Sequence, residues 1–257
     1  PNMAVYAAIT PILLLYVIFF FSQASYFLSA FSGNLPEGYS YSQYARRGFF
    51  ELCGVTVINL LIIIFISFLT QKSGRNKPKS LKFYTLSLSF STIILIAVAI
   101  SKKVMYISEY GLTPLRFYTM WFMLLCGFMF VLITVKQFKF EMKFSAWFSG
   151  IFTVMFALLC FCSPDFVIAK YNIDMYKAGY LAELDTRAIL YMSDDAILYG
   201  VQQGEIDVKK AYKTSLEDKK ELTDYFNIPT LILREELKDV ELTAEDRENL
   251  SSLNDLF

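Results

Sequence analysis

The sequence predicts an all-α protein: a polytopic transmembrane helix bundle of five spans, followed by a small soluble all-helical domain. Three observations carry that prediction. The first is composition: of 257 residues, 55% are hydrophobic and 19% charged, with a mean hydropathy of +0.43, whereas a soluble domain carries about 25% charged residues. The second is that five stretches of spanning length hold almost no charge. The third is a charge split hidden beneath a formal net charge of zero. Residues 1–162 contain 13 basic and 4 acidic residues, and residues 163–257 contain 11 basic and 20 acidic. The predicted domains are therefore 1–162, the bundle at +9, and 163–257, an acidic helical tail at −9.

Each span follows from its residues. Residues 4–31 hold no charge, and Pro11 falls near the start of that helix, where a missing N–H matters least. A signal peptide is the competing reading, but there is no basic n-region. Residues 49–69 carry one charge, Glu51, and residues 81–101 carry only Lys82 at the edge. Residues 117–135 and 144–162 carry none. Helices of roughly 20 residues, at about 1.5 Å per residue, match a hydrocarbon core about 30 Å thick.

Loop charges predict orientation. Lys72, Arg75, Lys77, Lys79, Lys82, Lys136, Lys139 and Lys143 flank one side, against Arg46, Arg47, Lys102, Lys103 and Arg116 on the other. The positive-inside rule makes the richer side cytoplasmic, with the N-terminus inside and the C-terminal half outside.

The tail is punctuated as short helices. Ser163-Pro164-Asp165 reads as an N-cap, a proline at N1 and an acid in the first turn, opening a helix that ends near Gly179. Asp185 and Ser193 are further N-caps, and Gly204 is a C-terminal stop. Residues 207–227 read as the longest tail helix, and Thr243 opens a last short one.

Composition excludes a nucleic-acid binder with a general basic excess, a disulfide scaffold and a disordered chain. The sequence has no histidine, so Ser-His-Asp and Cys-His catalysis and His-ligated metal or haem sites cannot be built from these residues. Cys160-x-Cys162, with Cys53 and Cys126 inside spans, lacks the partners of a zinc signature. No catalytic residue, metal or cofactor is therefore expected.

Two segments carry the candidate binding residues. Around Tyr44–Leu52, Arg46 and Arg47 stand at a span mouth with Glu51 just inside it. An intramembrane charge is a functional candidate by default. The simpler alternative pairs Arg47 with Glu51 at i,i+4 while Arg46 reaches lipid phosphates. Around Tyr106–Trp121, Gly111 breaks one helix and Thr113-Pro114 starts the next, placing Arg116 in a first turn. Positive charge there opposes the helix dipole, so an acidic or anionic partner is expected. Arg46, Arg47, Glu51, Lys102, Lys103, Tyr110 and Arg116 form the candidate anionic-ligand or lipid-headgroup set, with a plain interfacial Tyr/Trp/Arg belt as the alternative. Asn59 is expected to bond across to Thr85, Ser89 or Thr92, which share one stripe of the next span; such polar groups serve helix packing more often than transport.

These segments resemble a bacterial family of multi-pass membrane proteins catalogued as domain of unknown function 4173. The resemblance rests on Tyr44-Ala45-Arg46-x-Gly48-Phe49-Phe50-x-Leu52 and on Tyr110-Gly111-Leu112-Thr113-x-Leu115-Arg116-x-Tyr118 leading into Trp121-Phe122. It continues through Asn172-x-Asp174-x-Tyr176, Leu184-Asp185 and Ser193-x-Asp195-Ala196. It spans residues 35–196, and the later residues look peculiar to this chain. Arg47 stands where the family often has an acid, which weakens an Arg–Glu relay. The resemblance implies a multi-pass protein of the bacterial cytoplasmic (inner) membrane, often with further spans upstream, and no established activity.

The expected partners are the lipid bilayer and a protein bound through the C-terminal helical domain, with no nucleic acid. The function expected first is a non-catalytic envelope binding or scaffold protein. A transporter or channel component is the alternative, and a membrane enzyme acting on a lipid-linked or anionic substrate the third.

Overall fold

The computed structural model describes residues 2–22, 54–66, 79–139, 142–212 and 232, and every regular element among them is a helix. The order is α1 (Asn2–Ser22), α2 (Gly54–Ile66), α3 (Lys79–Tyr110), α4 (Pro114–Phe138), α5 (Phe144–Phe161), α6 (Pro164–Lys177), α7 (Thr186–Leu190), α8 (Asp194–Gln202) and α9 (Val208–Tyr212). The chain divides into two compact units: Pro1–Tyr110 with Leu115–Leu158, and Gly111–Pro114 with Leu159–Phe257.

In the first unit, α3, α4 and α5 are each long and apolar enough to cross a membrane. They coincide with the third, fourth and fifth predicted spans. The first and second overlap the helices Asn2–Ser22 and Gly54–Ile66, and residues 23–31, 49–53 and 67–69 of those predicted spans lie outside the described residues. The inward stripe of α3 is Leu81, Thr85, Leu88, Thr92, Leu95 and Ala99, the three-and-four spacing of one helical face. It meets α4 through Met123, Phe130 and Ile133, and α2 through Ile63. Ile9 of α1, Ile66 and Leu81 make a second, smaller cluster. By contrast α5 buries no residue, and Trp121 of α4 reaches it by donating Nε1–H to the Met155 carbonyl at 3.2 Å. Large side chains such as Leu15, Phe21, Phe90, Leu115 and Val154 face outward.

One boundary differs from the sequence expectation. The third span was expected to end at Ser101 with Lys102 and Lys103 in the following loop. Instead α3 continues unbroken to Tyr110, and both lysines are buried at 4% and 6% exposure. Nothing between Lys102 and Tyr110 breaks a helix, and the stop comes from Gly111, whose φ of +73° is left-handed. With 32 residues, α3 is about 48 Å long, well beyond a hydrocarbon core of about 30 Å.

In the second unit, α6 and α8 pack face to face through Ala169, Ile173, Ala196 and Ile197, with Ile189, Ile206 and Ala211 completing the core. Small residues at Ala169 and Ala196, both fully buried, let the two helices approach closely. The caps vary. Asp185 Oδ1 accepts from Ala188 N at 2.9 Å, a regular side-chain cap. Ser163 and Ser193 hold the expected cap positions, but neither side chain caps its helix. Ser163 precedes a proline, which disfavours the right-handed region, and it sits left-handed at φ 43°. At Ser193 the capping role passes to Asp195, whose Oδ1 accepts from Ala196 N at 3.1 Å and from the Ser193 hydroxyl. Gly179 and Gly204 are left-handed stops, at φ +77° and +74°. The helix expected over 207–227 is described only as α9, and the helix expected from Thr243 lies outside the described residues.

Candidate functional site

The turn between α3 and α4 brings part of the predicted anionic set together. Arg116, in the first turn of α4, donates from Nη1 to the Tyr110 carbonyl at 2.9 Å, and its guanidinium lies 4.0 Å from the centre of the Tyr106 ring. The carbonyl belongs to the last residue of α3, the negative end of that helix's dipole. A charge that opposes the dipole of its own helix is thus offset by the dipole of the preceding one and by a ring face. The sequence did not foresee these two neutral acceptors, which stand beside a further interaction of Arg116. Tyr110 is exposed and packs edge-on against Tyr106, with ring centres 5.3 Å apart. Lys102 and Lys103, two turns earlier, are buried in α3 and both have interaction partners. Arg46, Arg47 and Glu51 lie outside the described residues.

A second polar group lies inside the apolar helices. Tyr16 donates its hydroxyl to Asn59 Oδ1 at 2.7 Å, and Asn59 Nδ2 donates to Thr92 Oγ1 at 2.7 Å. Thr92 in turn donates its hydroxyl hydrogen bond to the Leu88 carbonyl at 2.8 Å. The chain runs from α1 through α2 to α3, and Asn59 and Thr92 are fully buried. Of the other two stripe residues, Thr85 bonds the Leu81 carbonyl of its own helix at 3.0 Å. Ser89 Oγ is buried with no hydrogen-bond partner among the described residues. Tyr16 was not among the residues singled out from the sequence; a phenol midway along an uncharged span was the available signal.

The second unit holds a clamp that sequence inspection also missed. Asn172 of α6 accepts from Leu112 N at 2.7 Å and donates to Leu112 O at 2.8 Å, closing a two-point contact on the segment 111–114. A Cβ on Gly111 would stand 2.8 Å from Asn172 Oδ1, so the close approach requires glycine as much as the positive φ does. These partners are 60 residues apart, and no spacing rule links them. Nearby, Tyr199 of α8 donates to Asp174 of α6 at 2.8 Å. Burial, then that bond and the carboxylate charge, push the Tyr199 phenol above its ordinary range, and burial raises Tyr171 as well. Lys177 reaches the Gln203 carbonyl at 2.9 Å and its side-chain oxygen at 2.7 Å.

Apolar helices of membrane-crossing length, joined to a helical unit with its own core, define the general class. The chain belongs to the family described as Domain of unknown function (DUF4153), which matches residues 1–202. The family number 4173 suggested by the sequence resemblance is replaced by 4153, while membership of an uncharacterised family agrees with it. The match ends at Gln202, the last residue of α8. No curated protein and no solved structure matches the chain.

Proposed function

We propose that this is an integral multi-pass protein of the bacterial cytoplasmic membrane, acting as a non-catalytic binding or scaffold protein that presents its C-terminal helical unit to a protein partner. One observation carries the reading: the second unit has a closed core of its own, while helices of the first turn large apolar side chains outward. A surface of Leu, Phe and Val at that density is stable against lipid and unstable in water. The second unit keeps Tyr180 and Tyr191 almost three-quarters exposed, at 74% and 73%, and such aromatics supply contact area at low entropy cost.

The polar chain through Asn59 supports the same reading over a transport path. Its groups bond to one another and to backbone, which is the arrangement of helix packing. The test is site-specific photocrosslinking of the full-length protein in its native membrane. Probes at Tyr180 and Tyr191 are expected to give a discrete protein adduct, and probes at Phe152 and Val154 to give lipid adducts. Lipid adducts alone from every position would defeat the scaffold reading.

A further inference from the structure

The end of the first unit where α3 begins and α4 finishes gathers five lysines from three helices. Lys79 and Lys82 lie in the first turn of α3, Lys136 in the last turn of α4, Lys139 just beyond it, and Lys143 directly before α5. Two ring contacts bring them together. Lys82 Nζ stands 4.5 Å from the centre of the Phe138 ring, tying the start of α3 to the end of α4. Lys136 Nζ stands 5.4 Å from the centre of the Phe144 ring, tying α4 to the start of α5. Lys79, Lys136, Lys139 and Lys143 are exposed, and Lys82 is half-buried. Compensating acid is scarce. Among the described residues of the first unit the one carboxylate is Glu109, roughly 40 Å along α3 from Lys82 at 1.5 Å per residue. Charges in solution are screened over about 8 Å, so Glu109 does not offset the cluster. Glu141, between Lys139 and Lys143 in sequence, lies outside the described residues, and counting it leaves the five lysines at +4.

Helix dipoles account for two of the five. Lys136 and Lys139 complement the negative end of α4, whereas Lys79, Lys82 and Lys143 stand at the positive ends of α3 and α5, where basic charge is unfavourable. Neither of those helices has an acid in its first turn. An anion from outside the chain relieves both. The neighbouring side chains say which anion: Phe83, Phe138 and Trp147 are exposed among the lysines, and such rings sit at the headgroup level of a bilayer. We propose that this end of the bundle binds the phosphates of anionic phospholipid headgroups and selects them over zwitterionic ones. Lysine ammonium groups pair with phosphate as point charges. A zwitterionic headgroup brings a cation of its own, which the lysines repel, so it gains less. The site rests on the membrane placement of the first unit and is independent of the scaffold role.

Native mass spectrometry tests it on the full-length protein, delipidated in detergent and given equal amounts of phosphatidylglycerol and phosphatidylcholine with the same acyl chains. At low salt the protein should retain phosphatidylglycerol over phosphatidylcholine by about tenfold or more. Lys82→Gln with Lys143→Gln should lower that ratio by about fivefold or more, the factor one lysine near a headgroup is worth. Lys82→Arg with Lys143→Arg should keep it, which separates loss of charge from loss of folding. Equal retention of the two lipids overturns the proposal. An unchanged ratio in the Gln variant overturns it by placing the selection elsewhere, and an equal loss in the Arg variant does so by showing that charge is not what is read. Displacement of phosphatidylglycerol by inorganic phosphate at the same concentration overturns it too, assigning the lysines to a soluble anion.

Discussion

Asn59 shows how a polar side chain is made tolerable among apolar helices. Its amide accepts from Tyr16 and donates to Thr92, so three helices share one group that would otherwise be buried and unpaired. Because lipid offers no competing partner, the bonds hold helices together, though measured values inside membranes average only about 0.6 kcal/mol per pair, with a maximum of about 1.7. A double-mutant cycle of Asn59→Ala and Thr92→Val, read by reversible SDS unfolding, should give a coupling in that range. Coupling indistinguishable from zero would mean that the bond contributes nothing to packing. Gly111 and Asn172 make the corresponding pair in the second unit. Gly111→Ala meets both a left-handed backbone and a 2.8 Å approach to Asn172 Oδ1, so it should destabilise the unit by about 1–3 kcal/mol. Asn172→Ala, which removes two hydrogen bonds, should cost a similar amount. Thermal unfolding and faster proteolysis near residues 111–114 measure both, and an unchanged Gly111→Ala protein would show that the turn relaxes freely.

Helices were readable from the sequence to the extent that local chemistry sets them. Uncharged length located α3, α4 and α5, and the Gly111-x-Thr113-Pro114 signature placed the break between two of them where it occurs. What failed was an assumption about lysines. Lys102 and Lys103 were counted as loop charges beyond the span, but the helix runs on unbroken to the Gly111 stop and both lysines are buried within it. Contacts between distant elements were illegible for another reason: Asn172 on Leu112, or Tyr199 on Asp174, depends on which faces meet after folding. The α6–α8 pairing also predicts a pH response. Tyr199 is held neutral by burial and by Asp174, so its folded pKa exceeds the unfolded value of about 10. A raised pKa contributes stability that is complete below the unfolded value and is lost as pH rises through the folded one. The second unit should therefore hold constant stability near neutrality and weaken above about pH 10. Tyr199→Phe should flatten that decline, leaving the contribution of Tyr171. Denaturant titrations of the full-length protein between pH 8 and 11 would show this, and an identical slope in Tyr199→Phe would refute it.

At the scale of the whole molecule, the net charge of zero is a sum of opposites, and the structure shows where some of those charges sit. The orientation argument weighed eight basic residues against five, a thin margin. Two of the five are Lys102 and Lys103, buried inside α3 rather than displayed in a loop. A third, Arg116, is held between a helix terminus and the face of Tyr106. The positive-inside rule counts Lys and Arg close to span ends, and burial in the folded helix does not remove these two from the count. The margin therefore stays at eight against five, and the orientation is an expectation for topology experiments to test. In that orientation residues 70–78 are cytoplasmic and Phe257 is on the outer side. Reporter fusions decide it: alkaline phosphatase at Phe257 should be active, and the same enzyme inserted at Arg75 inactive. Changing Lys102 and Lys103 together to Gln should leave both readings as they were, because it takes charge only from the poorer side and widens the margin. Inverted activities in the native chain would move the second unit to the cytoplasm, and its partner would then have to be sought there.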